Sequence, residues 1–222
     1  MHIMIKLPDF KKSFGYENDF YLSCDNSRLG KFIAHYELFK QAVGKQGAIV
    51  ECGVFKGTSL VRFAGFRELL EKNQKRKIIA FDTFEDFPLT DFAPDKKLRD
   101  KLIIDAGSQS ISTSQLMDVL RHKESEAEVE LVAGDITKTV PEYVRSNPGL
   151  RIALLNIDVD IYEPTVTILN FLYPLVVSGG IVMLDDYGVF PGETKAVDEY
   201  FNGKANVKKL SYSRTPRYII KP

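Results

Sequence analysis

Short apolar runs alternate with longer amphipathic segments along the chain from residue 48 onward. Uninterrupted apolar runs of strand length are typical of strands that are buried on both faces of a sheet. Apolar residues at helical spacing, with proline at starts and glycine at stops, indicate the helices. The predicted strands cover residues 48–52, 78–81, 129–133, 152–157, 181–184, 207–212 and 218–221. The predicted helices cover residues 29–43, 58–70, 113–122, 140–145, 162–172 and 192–201.

The order of these elements predicts an α/β fold with a doubly wound, mostly parallel sheet. The last two strands are joined by a short connection that contains Pro216, which predicts an antiparallel edge. We expect one domain over residues 1–222. Within it, residues 1–45 form an N-terminal arm and helix. Residues 83–112 form a long irregular insert, which is typical of a lid or of a disordered segment.

Charge and hydropathy argue against several classes of protein. Thirty basic residues balance thirty acidic residues, so no overall field attracts nucleic acid or anionic lipid. No apolar stretch has the length of a membrane span, and residues 1–12 lack the apolar core of a signal peptide. The two cysteines, Cys24 and Cys52, form no CxxC pair and no zinc spacing. We therefore expect a cytoplasmic protein with no nucleic acid or membrane partner, and the aromatic N-terminal arm favours a homodimer.

Three aspartates that follow two predicted strands form the most informative motif. Asp158 follows the strand at 152–157, and Asp185 and Asp186 follow the strand at 181–184. If these strands lie side by side in parallel, the carboxylates converge at the edge where α/β sheets bind ligands. Adjacent carboxylates repel unless a cation joins them, so the motif predicts a hard-metal site. The alternative role of each aspartate is to cap the helix or turn that follows.

A glycine-containing turn after the first predicted strand is a candidate nucleoside site. Gly53 and Gly57 allow the backbone to bend and to approach a ligand, but their spacing fits neither GxGxxG nor a P-loop. Glu51 at the strand end favours a nucleoside ligand that lacks phosphates. Asp82 ends the second strand, where related folds place a ribose-binding carboxylate, and Asp135 after the third strand could face adenine. Turns without a ligand and capping roles are the alternatives.

Four segments together resemble the macrocin-type O-methyltransferase family, and the last two are the most specific. They are Glu51-Cys-Gly-Val-Phe-Lys-Gly-Thr-Ser59, Phe81-Asp-Thr-Phe-Glu-Asp-Phe-Pro88, Asp158-Val-Asp-Ile-Tyr-Glu-Pro-Thr165 and Gly179-Gly-Ile-Val-Met-Leu-Asp-Asp-Tyr-Gly188. The resemblance covers about residues 26–201. It implies a Rossmann-like class I methyltransferase fold with seven strands. It also implies that the protein uses S-adenosylmethionine and Mg²⁺ to methylate a hydroxyl group of a small-molecule acceptor, which would be a sugar.

The same resemblance implies roles for individual residues. Asp82 and Thr83 would bind the ribose, and Asp135 would lie near the adenine. The metal ligands implied for Mg²⁺ are Asp158, Asp185 and Asp186. The residues implied at the cofactor are Glu51, Gly53, Gly57, Thr58, Ser59, Asp82, Thr83, Asp135 and Asp158.

The general base is the point at which this sequence departs from the family. Relatives that methylate macrolide sugars use a histidine in the lid, whereas residues 83–112 contain no histidine here. His122 lies beyond the lid on a predicted helix, where we expect it to be exposed. The candidate catalytic carboxylates are therefore Asp158 and Asp105, and Asp100 is a further alternative to Asp105.

Two alternative functions fit the same motifs, and a third is disfavoured by them. The acceptor could be a small molecule other than a sugar, because acceptor contacts would lie in the lid and the arm. The chain could also bind S-adenosylmethionine without catalysis, having lost the lid histidine. A nicotinamide oxidoreductase is disfavoured, because it expects a tighter glycine triplet and gives no reason for paired aspartates after the fifth strand.

Overall fold

A six-stranded sheet with helices on both faces forms the centre of the computed structural model, which describes residues 4–72 and 76–222. The strands are β1 (Ala48–Cys52), β2 (Ile78–Asp82), β3 (Val129–Ala133), β4 (Ile152–Ile157), β5 (Val176–Leu184) and β6 (Arg217–Ile220). Their order is β3-β2-β1-β4-β5-β6; β1 to β5 pair in parallel, and β6 pairs antiparallel to β5 at the edge.

The described residues form eight α-helices. They are α1 (Ser13–Ser23), α2 (Asn26–Ala42), α3 (Thr58–Leu70), α4 (Ala93–Ala106), α5 (Thr113–His122), α6 (Ile136–Ser146), α7 (Tyr162–Phe171) and α8 (Pro191–Tyr200). Within the described part of the chain, every helix is too short or too polar to span a bilayer.

Apolar side chains cover both faces of the sheet. Val50 and Cys52 of β1 pack in one core with α6, α7 and α8, whereas Ile49 packs in a second core with α2, α3 and α5. Every position of β1, β2 and β4 is buried. Because successive side chains of a strand point to opposite faces, burial on both faces requires nearly continuous apolar sequence. This explains why the central strands are recognisable from sequence alone.

The doubly wound, mostly parallel sheet with an antiparallel edge is confirmed, but the predicted count of seven strands is wrong. The strand predicted at 207–212 is reduced to one antiparallel bridge between Lys208 and Tyr218. The chain turns at residues 211–212, and Pro216 has no amide hydrogen with which to extend a ladder. The strand predicted at 218–221 forms as β6.

Two segments that were predicted to lack regular structure contain helices. Helix α1 lies in the N-terminal arm and has no buried side chain, so its sequence carries no apolar period that would reveal it. Helix α4 lies in the lid insert, and Pro94 occupies its first turn, where a proline removes no helical hydrogen bond. The lid is therefore partly helical rather than irregular.

Two element boundaries also differ from the predictions. Helix α6 begins at Ile136 instead of residue 140, because the side chain of Asp135 caps the helix by accepting a bond from the Thr137 amide. Strand β5 begins at Val176 instead of residue 181, so the pair Gly179-Gly180 lies inside the strand and not in a turn before it.

Candidate functional site

The carboxyl ends of β1 to β5 surround a cavity of about 780 Å³. It includes the point at which the strand order reverses between β1 and β4, where open α/β sheets bind ligands. Its walls come from the loops after these strands, from the lid insert, and from α2 and α3. The predicted site residues that line it are Gly53, Thr58, Ser59, Asp82, Thr83, Asp135, Asp158, Asp185 and Asp186.

The turn after β1 packs directly on the loop after β4, and this contact requires a glycine. Gly53 has a φ of +89°, and a Cβ at this position would lie 1.7 Å from the carbonyl oxygen of Asp158. The amide of Asp158 in turn donates to the carbonyl of Cys52 at 2.9 Å. A side chain at residue 53 would therefore push the two loops apart.

Glu51 and Gly57 lie behind the cavity wall and do not line it. Glu51 is fully buried and accepts a hydrogen bond from Nδ2 of Asn156 at 3.2 Å. Burial raises the pKa of Glu51 to about 8, although hydrogen bonds from Ser59 and Asn156 oppose the change. A Cβ on Gly57 would lie 2.9 Å from the side chain of Leu116, so this glycine serves the packing of the turn against α5.

Asp82 is bound on both oxygens by backbone amides. Its Oδ2 accepts from the amides of Val54 at 2.6 Å and Phe55 at 3.1 Å, and its Oδ1 accepts from the amide of Phe84 at 2.6 Å. Phe55 and Phe84 have positive φ angles of 48° and 54°, a conformation that side chains disfavour. The carboxylate thus stabilises two strained loop residues. The predicted contact with ribose would be a second role of the same carboxylate.

Asp135 caps α6, which was the alternative to its predicted contact with adenine. Its Oδ1 accepts from the amide of Thr137 at 2.9 Å and from the Thr137 hydroxyl at 2.7 Å. Its Oδ2 lies 3.3 Å from Nζ of Lys138. Burial acts to raise the pKa of Asp135, but these hydrogen bonds and the lysine charge lower it below the usual range. Because Asp135 also lines the cavity, the adenine contact stays a prediction.

The structure brings Asp158, Asp185 and Asp186 together at the ends of β4 and β5. Each offers one carboxylate oxygen, and these oxygens lie within 4.8 Å of one another. Burial and repulsion from Asp185 raise the pKa of Asp158 well above its usual range. Burial and repulsion from Asp160 and Asp185 do the same for Asp186. The raised pKa values show that these carboxylates repel one another and favour protonation unless a cation joins them.

Two further carboxylates, those of Asp160 and Glu193, lie next to this site. Asp160 has a φ of +62°, and burial together with repulsion from Asp158 raises its pKa to about 8. Glu193 is fully buried on α8, and its Oε1 accepts from the amide of Asp186 at 3.2 Å. Burial, followed by repulsion from Asp186, raises the pKa of Glu193 well above its usual range.

The donor atoms fit a hard divalent cation. Oδ1 of Asp185 and Oδ2 of Asp186 are buried and have no hydrogen-bond partner among the described residues. A buried oxygen without a partner destabilises the protein unless a ligand satisfies it. Carboxylate oxygens are the ligands that Mg²⁺ and Ca²⁺ prefer. Asp158, Asp185 and Asp186 could therefore hold such an ion.

Sequence reasoning missed two side chains of α2 that face Asp185. Nζ of Lys31 lies 2.5 Å from Oδ2 of Asp185, and Nε2 of His35 lies 3.8 Å from Oδ1, beyond hydrogen-bond range. His35 is fully buried and stacks on Phe63 with a centroid distance of 5.4 Å. The available signal is the spacing of Arg28, Lys31 and His35, which places three basic residues on one helix face that lines the cavity.

These neighbours also affect each other's protonation. Burial acts to lower the pKa of Lys31, but attraction to Asp185 and then to Asp158 raises it above its usual range. Burial acts to raise the pKa of Asp185, but the charge of Lys31 holds it below its usual range. Burial lowers the pKa of His35, which favours the neutral imidazole at pH 7. At neutral pH the site therefore contains a Lys31–Asp185 ion pair beside a neutral histidine.

Asp105 is not brought to the cavity. It is exposed on α4, whereas Leu102 and Ala106 of the same helix line the cavity. Asp100 is also exposed, and so is His122, as expected. A catalytic role for Asp105 stays a prediction that would require α4 to change its orientation.

The sheet order, the cavity at its carboxyl edge and the acidic strand ends define a class I methyltransferase fold. Residues 26–211 match the model of the family described as Macrocin-O-methyltransferase (TylF). The chain therefore belongs to this family.

Relatives agree with this assignment. The chain is 29% identical to demethyldecarbamoylnovobiocin O-methyltransferase of Streptomyces niveus, covering 69% of this chain and 58% of the relative. It is 28% identical to 8-demethyl-8-(2,3-dimethoxy-alpha-L-rhamnosyl)-tetracenomycin-C 4'-O-methyltransferase of Streptomyces olivaceus, covering 67% and 56%. The chain thus spans less than three fifths of the length of these two relatives.

A solved structure matches more of the chain. CalS11, a calicheamicin methyltransferase, superposes on this chain with a TM-score of 0.76 and 27% sequence identity. The superposition covers 94% of this chain and 85% of the CalS11 chain. A second structure describes CalS11 as a TDP-rhamnose 3'-O-methyltransferase. The similarity to CalS11 therefore extends over a larger share of the chain than the two sequence matches do.

Proposed function

We propose that this chain is an S-adenosylmethionine-dependent and Mg²⁺-dependent O-methyltransferase that acts on a hydroxyl of a sugar. The sugar would belong to a sugar nucleotide or to a glycosylated natural product. The observation that carries the proposal is the convergence of Asp158, Asp185 and Asp186 in the cavity that Gly53 also lines. Family membership supports methyl transfer, and the rhamnose-related names of two relatives support a sugar acceptor.

The proposed chemistry divides the cavity between two ligands. S-adenosylmethionine would supply the methyl group from the side of Gly53, Thr58 and Ser59. Mg²⁺, when bound, would orient an acceptor hydroxyl and lower its pKa. Asp158 connects the two sides, because its backbone contacts the Gly53 turn while its carboxylate joins the acidic cluster. Alignment of acceptor and donor accounts for roughly 7–11 kcal/mol of barrier lowering in favourable intramolecular reactions.

The proposed general base is Asp158, acting through the carboxylate oxygen that would not bind the metal. It lines the cavity, whereas Asp105, the other candidate, is exposed outside it. A positioned base contributes about 10²- to 10⁴-fold to such reactions. Lys31 and His35 complete the surroundings of the acceptor site and could orient its hydroxyls.

The test is a methyl-transfer assay after treatment with EDTA, with and without added Mg²⁺. Three acceptors distinguish the substrate classes: TDP-rhamnose, a rhamnosylated aromatic compound and a catechol. We expect methylation of a sugar acceptor that EDTA abolishes and Mg²⁺ restores. Full activity in EDTA would remove the metal from the mechanism. Methylation of catechol alone would indicate a non-sugar substrate, and cofactor binding without turnover would indicate a non-catalytic protein.

We also propose that two copies of the chain associate. Helix α1 presents Phe14, Tyr21 and Leu22 at 75%, 57% and 88% exposure, which is unusual for apolar side chains that face only water. Light scattering should give a mass near twice the 25.1 kDa of one chain. A mass of one chain at all concentrations tested would contradict the dimer.

A further inference from the structure

Asp95 of the lid helix α4 is a buried carboxylate that joins two other helices. It is fully buried, although the lid residues around it are largely exposed. Its Oδ2 accepts from the amide of Tyr162 at 3.1 Å, and its Oδ1 accepts from the amide of Gly192 at 2.7 Å. These amides belong to the first turns of α7 and α8, whose helix dipoles also favour a negative charge. One side chain thus caps two helices from a third.

The fold makes room for this carboxylate. A Cβ on Gly192 would lie 1.9 Å from Oδ2 of Asp95 and 2.6 Å from the amide nitrogen of Tyr162. Only glycine therefore permits the two helix starts and the lid to approach this closely. A second link lies beside the first, because Glu163 of α7 accepts from the amides of Asp91 at 3.0 Å and Phe92 at 3.1 Å.

The two capped helices directly follow the loops that carry the acidic cluster. Asp158 precedes the start of α7 at Tyr162, and Asp186 precedes the start of α8 at Pro191. The pairing of β4 with β5, which extends to the bond from the amide of Asp185 to the carbonyl of Ile157 at 2.9 Å, holds the two loops together where they begin. Asp95 joins them where they end, at the starts of α7 and α8. The position of the Asp95 carboxylate therefore bears on the distance between the ligands from β4 and the ligands from β5.

We propose that Asp95 is a positioning residue that couples the lid to the metal site. By holding the starts of α7 and α8 together, it keeps Asp158 and Asp186 at the separation that a divalent cation requires. By the same bonds it fixes the base of the lid beside the cavity. The inference rests on the proposed metal-dependent function, and it adds that cation binding and lid position are linked.

The test combines two measurements on the full chain: titration calorimetry with Mg²⁺, and limited trypsin digestion of the lid, which carries Lys96, Lys97, Arg99 and Lys101. In the wild type we expect Mg²⁺ to slow cleavage in the lid. Asp95→Asn offers an N–H₂ group to one of two amide donors, so one bond is lost. We expect the Kd of this variant for Mg²⁺ to rise about tenfold, which is the lower end of the loss of affinity seen when residues that support metal ligands are changed. We also expect Mg²⁺ to no longer slow cleavage in the lid.

Two variants make the result specific. Gly192→Ala keeps the Asp95 carboxylate but moves it, because the added Cβ occupies its position. This variant should therefore show the same weaker Mg²⁺ binding and the same loss of lid protection. It also serves as the test if Asp95→Asn does not fold. Asp118→Asn, which changes an exposed aspartate of α5 outside the lid, should behave as the wild type. Wild-type Mg²⁺ affinity in both Asp95→Asn and Gly192→Ala would overturn the coupling while leaving the proposed function intact. Absence of Mg²⁺ binding in the wild type would overturn both.

Discussion

Two acidic positions on the same edge of the sheet differ in how their oxygens are satisfied. Asp82, after β2, accepts hydrogen bonds from the amides of three loop residues and has both oxygens engaged. Asp185 and Asp186, after β5, each keep one buried oxygen that has no hydrogen-bond partner among the described residues. The protein alone satisfies the hydrogen bonding of Asp82, whereas it leaves one buried oxygen of Asp185 and one of Asp186 unsatisfied.

This difference separates a structural role from a ligand-binding role. A carboxylate that is saturated by backbone amides stabilises the loop in which it lies, and a ligand can only share it. Buried oxygens that lack partners cost free energy, which a bound cation would recover. Sequence position alone treats these aspartates alike, because all of them follow parallel strands. The hydrogen-bond inventory distinguishes them, and four substitutions test the distinction.

The largest effect is expected for the open site. Asp186→Asn removes one charge and one anionic ligand, so Mg²⁺ affinity and turnover should both fall by about 100-fold or more. Cofactor affinity should change little, because Asp186 is not among the residues proposed at S-adenosylmethionine. Calorimetry with Mg²⁺ and with S-adenosylhomocysteine would measure the two affinities separately. A loss of cofactor binding with unchanged Mg²⁺ binding would reverse the assignment.

Asp82→Asn should affect stability more than metal binding. The amide group of asparagine presents N–H₂ to backbone donors that now meet a carboxylate oxygen, so at least one of the short bonds is lost. We expect the free energy of unfolding to fall by about 1–3 kcal/mol, as for other hydrogen bonds to charged groups. Urea titration would measure this loss. Unchanged stability with strongly reduced cofactor affinity would instead show that Asp82 is primarily a ribose ligand.

Lys31→Met tests whether the lysine competes with the cation for Asp185. Removing the ammonium group leaves the cluster more negative, so Mg²⁺ should bind about fivefold more tightly, which corresponds to ~1 kcal/mol. Lys40→Met is the matched control, because Lys40 is exposed on the same helix and pairs with Glu37. Calorimetry compares the two variants. Weaker Mg²⁺ binding in Lys31→Met would show that the lysine holds Asp185 in the correct position.

Glu51→Gln tests the buried carboxylate behind the cavity wall through a change in the pH dependence of stability. Burial raises the pKa of Glu51 from its ordinary 4.5 to about 8 in the folded protein. The folded state therefore retains a proton that the unfolded state releases, and its contribution to stability is lost as the pH rises from 4.5 to 8. The variant cannot titrate, so it should gain stability relative to the wild type over this interval, by at most about 1.4 kcal/mol per pH unit. Urea titrations at pH 5 and pH 8 would detect it, and equal differences at both pH values would contradict it.

Local sequence determined much of the fold because the central strands are buried on both faces. Their unbroken apolar runs, and the acidic residues at their ends, predicted the parallel sheet and the convergence of Asp158, Asp185 and Asp186. Parallel strands bring their carboxyl ends to one edge whatever the intervening sequence, so this part of the site needs no knowledge of long-range packing.

Only the tertiary structure decided the rest of the site. Lys31 and Asp185 are 154 residues apart, and their contact depends on how α2 packs against the sheet. Asp95 reaches α7 and α8 only because Gly192 leaves space for it, and α1 has no buried face that a periodic pattern could report. Apolar periodicity records which residues leave water, whereas polar contacts between distant segments depend on the relative placement of whole elements, which no local pattern encodes.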